Sequence, residues 1–117
     1  MTILIRKFEK SKKPKKKYTV VIYDTETKRK KTIHFGEKGY RDYTLMNKRS
    51  SEFYEPKKEI REQTKRRYIK RHRGMDEDWN DPFSGAGIWS RYVLWSKPNV
   101  KQGLDLMMRK FGMKFEK

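Results

Sequence analysis

Two blocks of this chain, residues 1–17 and 48–73, hold eight basic side chains against one acid and eleven against four. Each carries a net charge of +7, so together they account for fourteen of the seventeen excess positive charges in 117 residues. Unpaired ionised groups are costly to take out of water, so segments of this kind belong on a surface. The core must come from elsewhere. Residues 18–47 and 74–117 carry only +2 and +1 and are the segments richest in apolar residues. The apolar fraction is low, at 33%, but 14% of the chain is Phe, Trp or Tyr, and large rings build a compact core from few positions. This length supports one small domain and no second core. There is no cysteine, which excludes a disulfide-stapled secreted module and a thiolate metal site, so a setting inside a cell or a virion is expected. No apolar run approaches the roughly 20 residues of a membrane span, and Met1 to Lys17 is charged where a signal peptide would be apolar. A soluble chain is expected.

Tyr18-Thr-Val-Val-Ile-Tyr23 and Lys31-Thr-Ile-His-Phe35 are β-branched and aromatic, with a polar stretch between them, and predict a β-hairpin. Residues 1–17 read as a basic N-terminal extension in which Ile3 to Phe8 has the composition of an edge strand, and residues 18–117 read as the domain. Gly36 to Tyr43 reads as a loop. A helix is predicted from Pro56 to Arg73, with proline in its first turn, Glu59 and Glu62 near its positive end, and four basic or histidine residues before Gly74. Its apolar stripe is thin, made of Ile60, Thr64 and Tyr68 with Ile69 alongside. A second helix is predicted from Ser84 to Ser96, apolar around most of its circumference. A third, capped by Asn99 with Gln102 at box spacing, would place Val100, Leu104, Met107, Met108 and Phe111 on one face and stop at Gly112. Trp89, Trp95, Leu104 and Met108 should share one core on which the basic helix is mounted. The fold class expected is α+β: a small antiparallel sheet packed against two or three helices.

Catalytic chemistry finds little support. His34 lies in a strand pattern and His72 at a basic helix end, and neither has an adjacent nucleophile and carboxylate of the kind a triad uses. Asp76, Asp78 and Asn80 have the first, third and fifth spacing of a calcium loop, but Asp81 stands where the turn needs glycine and Gly87 where a bidentate glutamate belongs. The segment reads instead as an acidic loop pairing with the basic helix before it or with lysines of a neighbouring subunit. No metal, cofactor or small-molecule substrate is expected. Tyr40 and Tyr43, beside Arg41, are the rings best placed to stack on nucleic-acid bases, whereas Trp89, Tyr92 and Trp95 are embedded in apolar sequence. The persistent charge imbalance points to a polyanionic or acidic partner, contacted by Lys12, Lys13, Lys15, Lys16, Lys17, Arg41, Lys65, Arg66, Lys70, Arg71 and Arg73. No recognition-helix, zinc-finger or RNA-recognition signature accompanies them, so any nucleic-acid contact should be to phosphates.

The strings Lys17-Tyr-Thr-Val-Val-Ile22, Lys31-Thr-Ile-His-Phe-Gly36, Gly39-Tyr-Arg-Asp-Tyr-Thr44, Arg67-Tyr-Ile-Lys-Arg-His72, Asp78-Trp-Asn-Asp-Pro-Phe83 and Trp89-Ser-Arg-Tyr-Val-Leu-Trp95, followed by Lys97-Pro98, occur in this order. Over roughly residues 17–103 the set resembles a family of small, uncharacterised basic proteins encoded by large nucleocytoplasmic DNA viruses of algae and protists. The resemblance implies a virion component, present in host cytoplasm or nucleus during assembly, and no catalytic residues. Two roles suit the charge. The first is a non-catalytic minor capsid or internal cement protein bridging acidic surfaces of the major capsid or other virion proteins, or the inner membrane face. The alternative is a sequence-independent DNA-binding protein.

Overall fold

The alternation of β-branched and polar residues in the first third of the chain becomes three consecutive antiparallel strands: β1 (Ile3–Lys10), β2 (Lys16–Asp24) and β3 (Lys30–Glu37). The computed structural model describes residues 2–75 and 77–117. Val20 pairs with Ile33 and Tyr18 with Phe35, so the apolar positions of the hairpin lie on one face, and Val20, Ile22, Ile33 and Phe35 are buried there. The hairpin turn is closed by Asp24, whose carboxylate accepts the backbone N–H of Glu26 at 2.9 Å and of Thr27 at 3.4 Å. Burial would raise the Asp24 pKa, but these two N–H donors, together with the Thr27 side chain, help to outweigh it and hold the carboxyl below its ordinary value.

Residues 1–17 are not an appendage, and Ile3 to Phe8 is not simply an edge strand. The sheet order is β3-β2-β1-β4, where β4 (Met113–Phe115) runs parallel to β1 and covers it over Ile3 to Ile5. The sheet is therefore mixed where an antiparallel one was expected. Ile3 and Ile5 are each 1% exposed. A register shift between Ile5 and Lys7 marks a β-bulge, after which Phe8 returns to the core face and stacks on Tyr18 at 5.5 Å between centroids. The block's net charge conceals this alternation: its isoleucines point inward while Lys7 and Glu9 stay at the surface and pair at 3.4 Å. The lysine tract that follows forms the β1–β2 turn, with the Lys16 N–H on the Lys13 carbonyl and the Ser11 N–H on the Lys17 carbonyl.

Helical elements cover the core face. The short α1 (Tyr43–Met46) falls partly in the segment expected as loop and starts because the Asp42 carboxylate accepts the Leu45 N–H at 2.9 Å. The basic helix α2 (Lys58–Arg73) ends at Gly74 as expected, but Lys57 is its N-cap, so Pro56 precedes the helix instead of occupying its first turn. Its packing is as thin as its sequence implies. Tyr68 is the buried residue of α2, and its ring lies on Trp95 at 4.1 Å with 6° between the planes. The expected helix from Ser84 to Ser96 is shorter: α3 (Ala86–Trp89) passes into a π-helical turn, Ser90–Leu94. Then α4 (Val100–Phe111) runs as read, with Asn99 accepting the Gln102 N–H and Gly112 left-handed at its end. Trp89, Trp95 and Leu104 belong to the buried core, and Met108 packs against it, partly buried. Among the described residues no helix is long and apolar enough to cross a membrane.

One glycine determines how closely two of these elements approach. Gly103, in the second turn of α4, faces the π-helical turn: a Cβ added there would overlap the Val93 carbonyl oxygen and come within 2.9 Å of the Tyr92 carbonyl oxygen. Those atoms are backbone and cannot rotate away. Alanine is the better helix former by about 1 kcal/mol, yet Gly103→Ala should destabilise the protein by about 2 kcal/mol net, because the overlap forces the two elements apart. A thermal melt decides between these opposed effects, and a raised midpoint would show that the elements are not in contact at this position.

Candidate functional site

The stripe Thr64, Arg67, Tyr68, Arg71, His72 and Met75 recurs at intervals of three and four residues, so on α2 and just beyond it these side chains share one face. That face forms one side of an open groove of about 970 Å³. The opposite side comes from the start of β2 and the end of β3 with the loop after it, through Lys16, Lys17, Glu37, Tyr40, Arg41 and Asp42. Ala86, Gly87, Ser90, Leu94 and Trp95 line the remainder. Gly36 makes the close packing of this corner feasible. It has φ +79°, and a Cβ there would lie 2.8 Å from Leu94 Cδ1 and 3.2 Å from Lys17 Cβ.

The two basic blocks, distant in sequence, thus meet across one groove, but their cations do not share one fate. Lys17 is committed to the fold. Its side chain is 14% exposed, its Nζ donates to Asp42 Oδ2 and to the Tyr40 carbonyl, each at 2.7 Å, and Asp42 is 2% exposed. Lys16 donates to the Glu37 carboxylate, a hydrogen bond that holds the Glu37 carboxyl below its ordinary pKa. Lys65, expected to meet a partner, instead donates to the Ser96 carbonyl at 2.8 Å and lies over the Tyr43 ring at 4.7 Å. It ties α2 to the residues after the π-helical turn. Arg41, Arg67 and Arg71 line the groove with no acidic partner among the described residues. Lys12, Lys13 and Lys15 are exposed in the adjoining β1–β2 turn, which is tied to the groove loop by the Lys38 N–H on the Lys15 carbonyl at 3.0 Å. Arg66, Lys70 and Arg73 are exposed on α2 but do not line the groove.

Arg67 was missed by reasoning from sequence, and so was the groove itself. The three-and-four spacing from Thr64 to Met75 was the available signal; Thr64 and Tyr68 were read from it as a packing stripe, and Arg71 was named for its charge alone. The expected pairing of the acidic loop with α2 is also absent among the described residues. Asp78 accepts the Asn80 N–H and Asp81 the Phe83 N–H, each at 2.9 Å, so these carboxylates shape their own loop. Asp76, the third acid considered there, lies outside the described residues. Among the described residues no group of three or more His, Cys, Asp or Glu is placed to hold a metal ion.

The aromatic groups divide in the same way. Tyr43 is buried, its hydroxyl donates to Glu62 at 3.1 Å, and burial together with that acceptor raises its pKa. It has no free face for a ligand. Tyr68, sandwiched between Trp95 and His72, has its pKa pushed up to about 12, chiefly by burial. His72 lies 3.9 Å from the Tyr68 ring, and its Nδ1 faces the Tyr68 carbonyl at 2.9 Å. A carbonyl only accepts, so Nδ1 is the donor in this contact. His34 does not line this groove, and its Nδ1 lies 2.7 Å from the Thr19 hydroxyl. Tyr40 alone among the groove's tyrosines is open to solvent, 69% exposed.

A model described as a family of unknown function, DUF5754, matches residues 6–46. The match spans the three antiparallel strands from Arg6 onward and ends with α1, so it includes Lys12 to Lys17, Tyr40 and Arg41 and none of the cations of α2. No curated protein and no solved structure matches the chain.

Proposed function

We propose that this is a non-catalytic nucleic-acid-binding protein that holds phosphates in the groove without reading base sequence. The observation that carries the reading is the convergence of Arg41, Arg67 and Arg71, from both halves of the chain, on one concave surface where none of them forms an ion pair with a carboxylate among the described residues. Lysines 12, 13 and 15 extend the same positive field beside it. Cations engaged within the fold, such as Lys17 on Asp42 and Lys65 on the Ser96 carbonyl, contribute to the scaffold; arginines left open in a groove raise the local concentration of a polyanion and form bidentate contacts with phosphate. The strings behind the viral resemblance supply much of the lining, including Lys17, Gly36, Tyr40 to Asp42, Arg67, Tyr68, Arg71, His72 and Trp95, which accords with a genome-associated virion protein.

The test is a salt titration of binding to a mixed-sequence oligonucleotide. Each of Arg41→Gln, Arg67→Gln and Arg71→Gln should lower the slope of log affinity against log salt by roughly 0.7 to 0.9, the value for one phosphate contact on a single strand or a duplex. Lys101→Gln, at the exposed start of α4, should leave the slope unchanged. Scrambling the oligonucleotide should hardly matter.

A second reading, bridging of acidic capsid surfaces, has one observation in its favour. Arg66, Lys70 and Arg73 form a stripe on α2 that turns away from the groove, so the helix offers cations in two directions. Nucleic-acid binding that vanishes near physiological salt while association with the virion's major capsid protein persists would reject the first reading in favour of this one.

A further inference from the structure

The geometry points to single-stranded nucleic acid as the occupant of the groove, with Tyr40 as a base-stacking platform; this rests on the reading of the groove as a nucleic-acid site and narrows it. Among the described residues Tyr40 is the most exposed of the large apolar side chains, ahead of Met75 at 54%, and has no ring partner. Folding therefore gains little from this ring. The backbone beneath it is nonetheless held: the Tyr40 carbonyl receives the Lys17 ammonium at 2.7 Å, the Tyr40 N–H donates to the Glu37 carbonyl at 3.4 Å, and Lys17 is itself anchored by the buried Asp42. An exposed ring on a fixed backbone costs little entropy when it packs against a flat ligand.

The neighbours of Tyr40 suit a base attached to its phosphates. Arg41 adjoins it in the loop, and Arg67 and Arg71 line the same groove from α2. A base laid on Tyr40 therefore shares its groove with cations for the neighbouring phosphates, the combination of rings and positive groove that single-strand binders use. A duplex cannot use the ring, because its base faces are already covered by their neighbours in the stack; it can meet only the cations. The strand's polarity and the identity of its bases are not selected by such contacts, since every base has a π face.

The experiment measures binding of the full chain, by fluorescence anisotropy at physiological salt, to a 12-nucleotide oligothymidylate and to a mixed 12-base-pair duplex. Tyr40→Ala should weaken binding to the single strand about tenfold and leave the duplex within about twofold, while Tyr40→Phe should keep the single-strand affinity. Tyr40 is exposed, so a melting curve should show both variants folded as the parent. Arg67→Gln should weaken both ligands. An equal effect of Tyr40→Ala on the two ligands, or no effect on the single strand, would overturn the assignment while leaving the nucleic-acid reading intact if Arg67→Gln still weakens both. Absence of binding to either ligand by the parent protein would overturn both.

Discussion

Replacing Trp95 with alanine should remove on the order of 3 to 5 kcal/mol of stability, a large part of the margin a domain of this size has. The side chain is 8% exposed and belongs to the central core, so its truncation exposes or empties the space beneath α2. The loss should be uneven. Tyr68 is the buried residue of α2 and its ring rests flat on Trp95, so the variant removes the surface on which the basic helix sits. Amide exchange in α2 should therefore accelerate more than in β2, whose Val20 and Ile22 are buried among other strands. Trp95→Phe, which retains an aromatic face, should recover much of both effects. A melting midpoint unchanged in Trp95→Ala, or exchange rising equally in helix and sheet, would show that α2 is held by something else.

The second large effect concerns a lysine that composition alone groups with its neighbours. Lys17→Ser should destabilise the protein by about 3 kcal/mol, whereas Lys12, Lys13 and Lys15 changed together to serine should alter stability by less than about 1 kcal/mol. Lys17 holds Asp42 at 2.7 Å in a place where both are largely withdrawn from water. Removing the ammonium leaves the Asp42 carboxylate buried, still accepting the Leu45 N–H at 2.9 Å and the Thr44 hydroxyl at 2.5 Å but without a counter-charge. The double variant Lys17→Met with Asp42→Asn removes both charges and retains a capping side chain, so it should recover most of the loss. Denaturant titrations of the three proteins measure this directly; a single Lys17→Ser variant as stable as the triple serine variant would mean that the pair is solvated. The comparison also protects the binding experiments, since a variant carrying Lys17→Ser would lose affinity through loss of the groove and not through loss of a phosphate contact.

Locally encoded features were legible. The hairpin follows from alternation in Tyr18 to Tyr23 and Lys31 to Phe35, and α4 from Asn99, a three-and-four apolar repeat and Gly112, because each signal acts within a few residues. Boundaries were less secure where a tertiary contact decided them. Nothing local announces that Ser90 to Leu94 adopts a π-helical turn against Gly103. The parallel strand Met113–Phe115 has too few residues for a pattern and exists because β1 offers an open edge there. The inward isoleucines of β1 were obscured by the lysines around them, because a net charge sums over both faces of a strand.

The site divides along the same line. By itself the sequence determined that the protein is strongly cationic, that its charge is gathered in two blocks, and that a thin-striped basic helix must be mounted on an aromatic core. Only the tertiary structure decided which cations remain available. Lys17 meets its carboxylate 25 residues away and Lys65 its carbonyl 31 residues away, while Arg41, Arg67 and Arg71 meet none among the described residues. The reason is physical: a residue type fixes the charge it carries, but desolvation and the arrival of a partner from elsewhere in the chain decide whether that charge is neutralised in the fold or left facing a ligand.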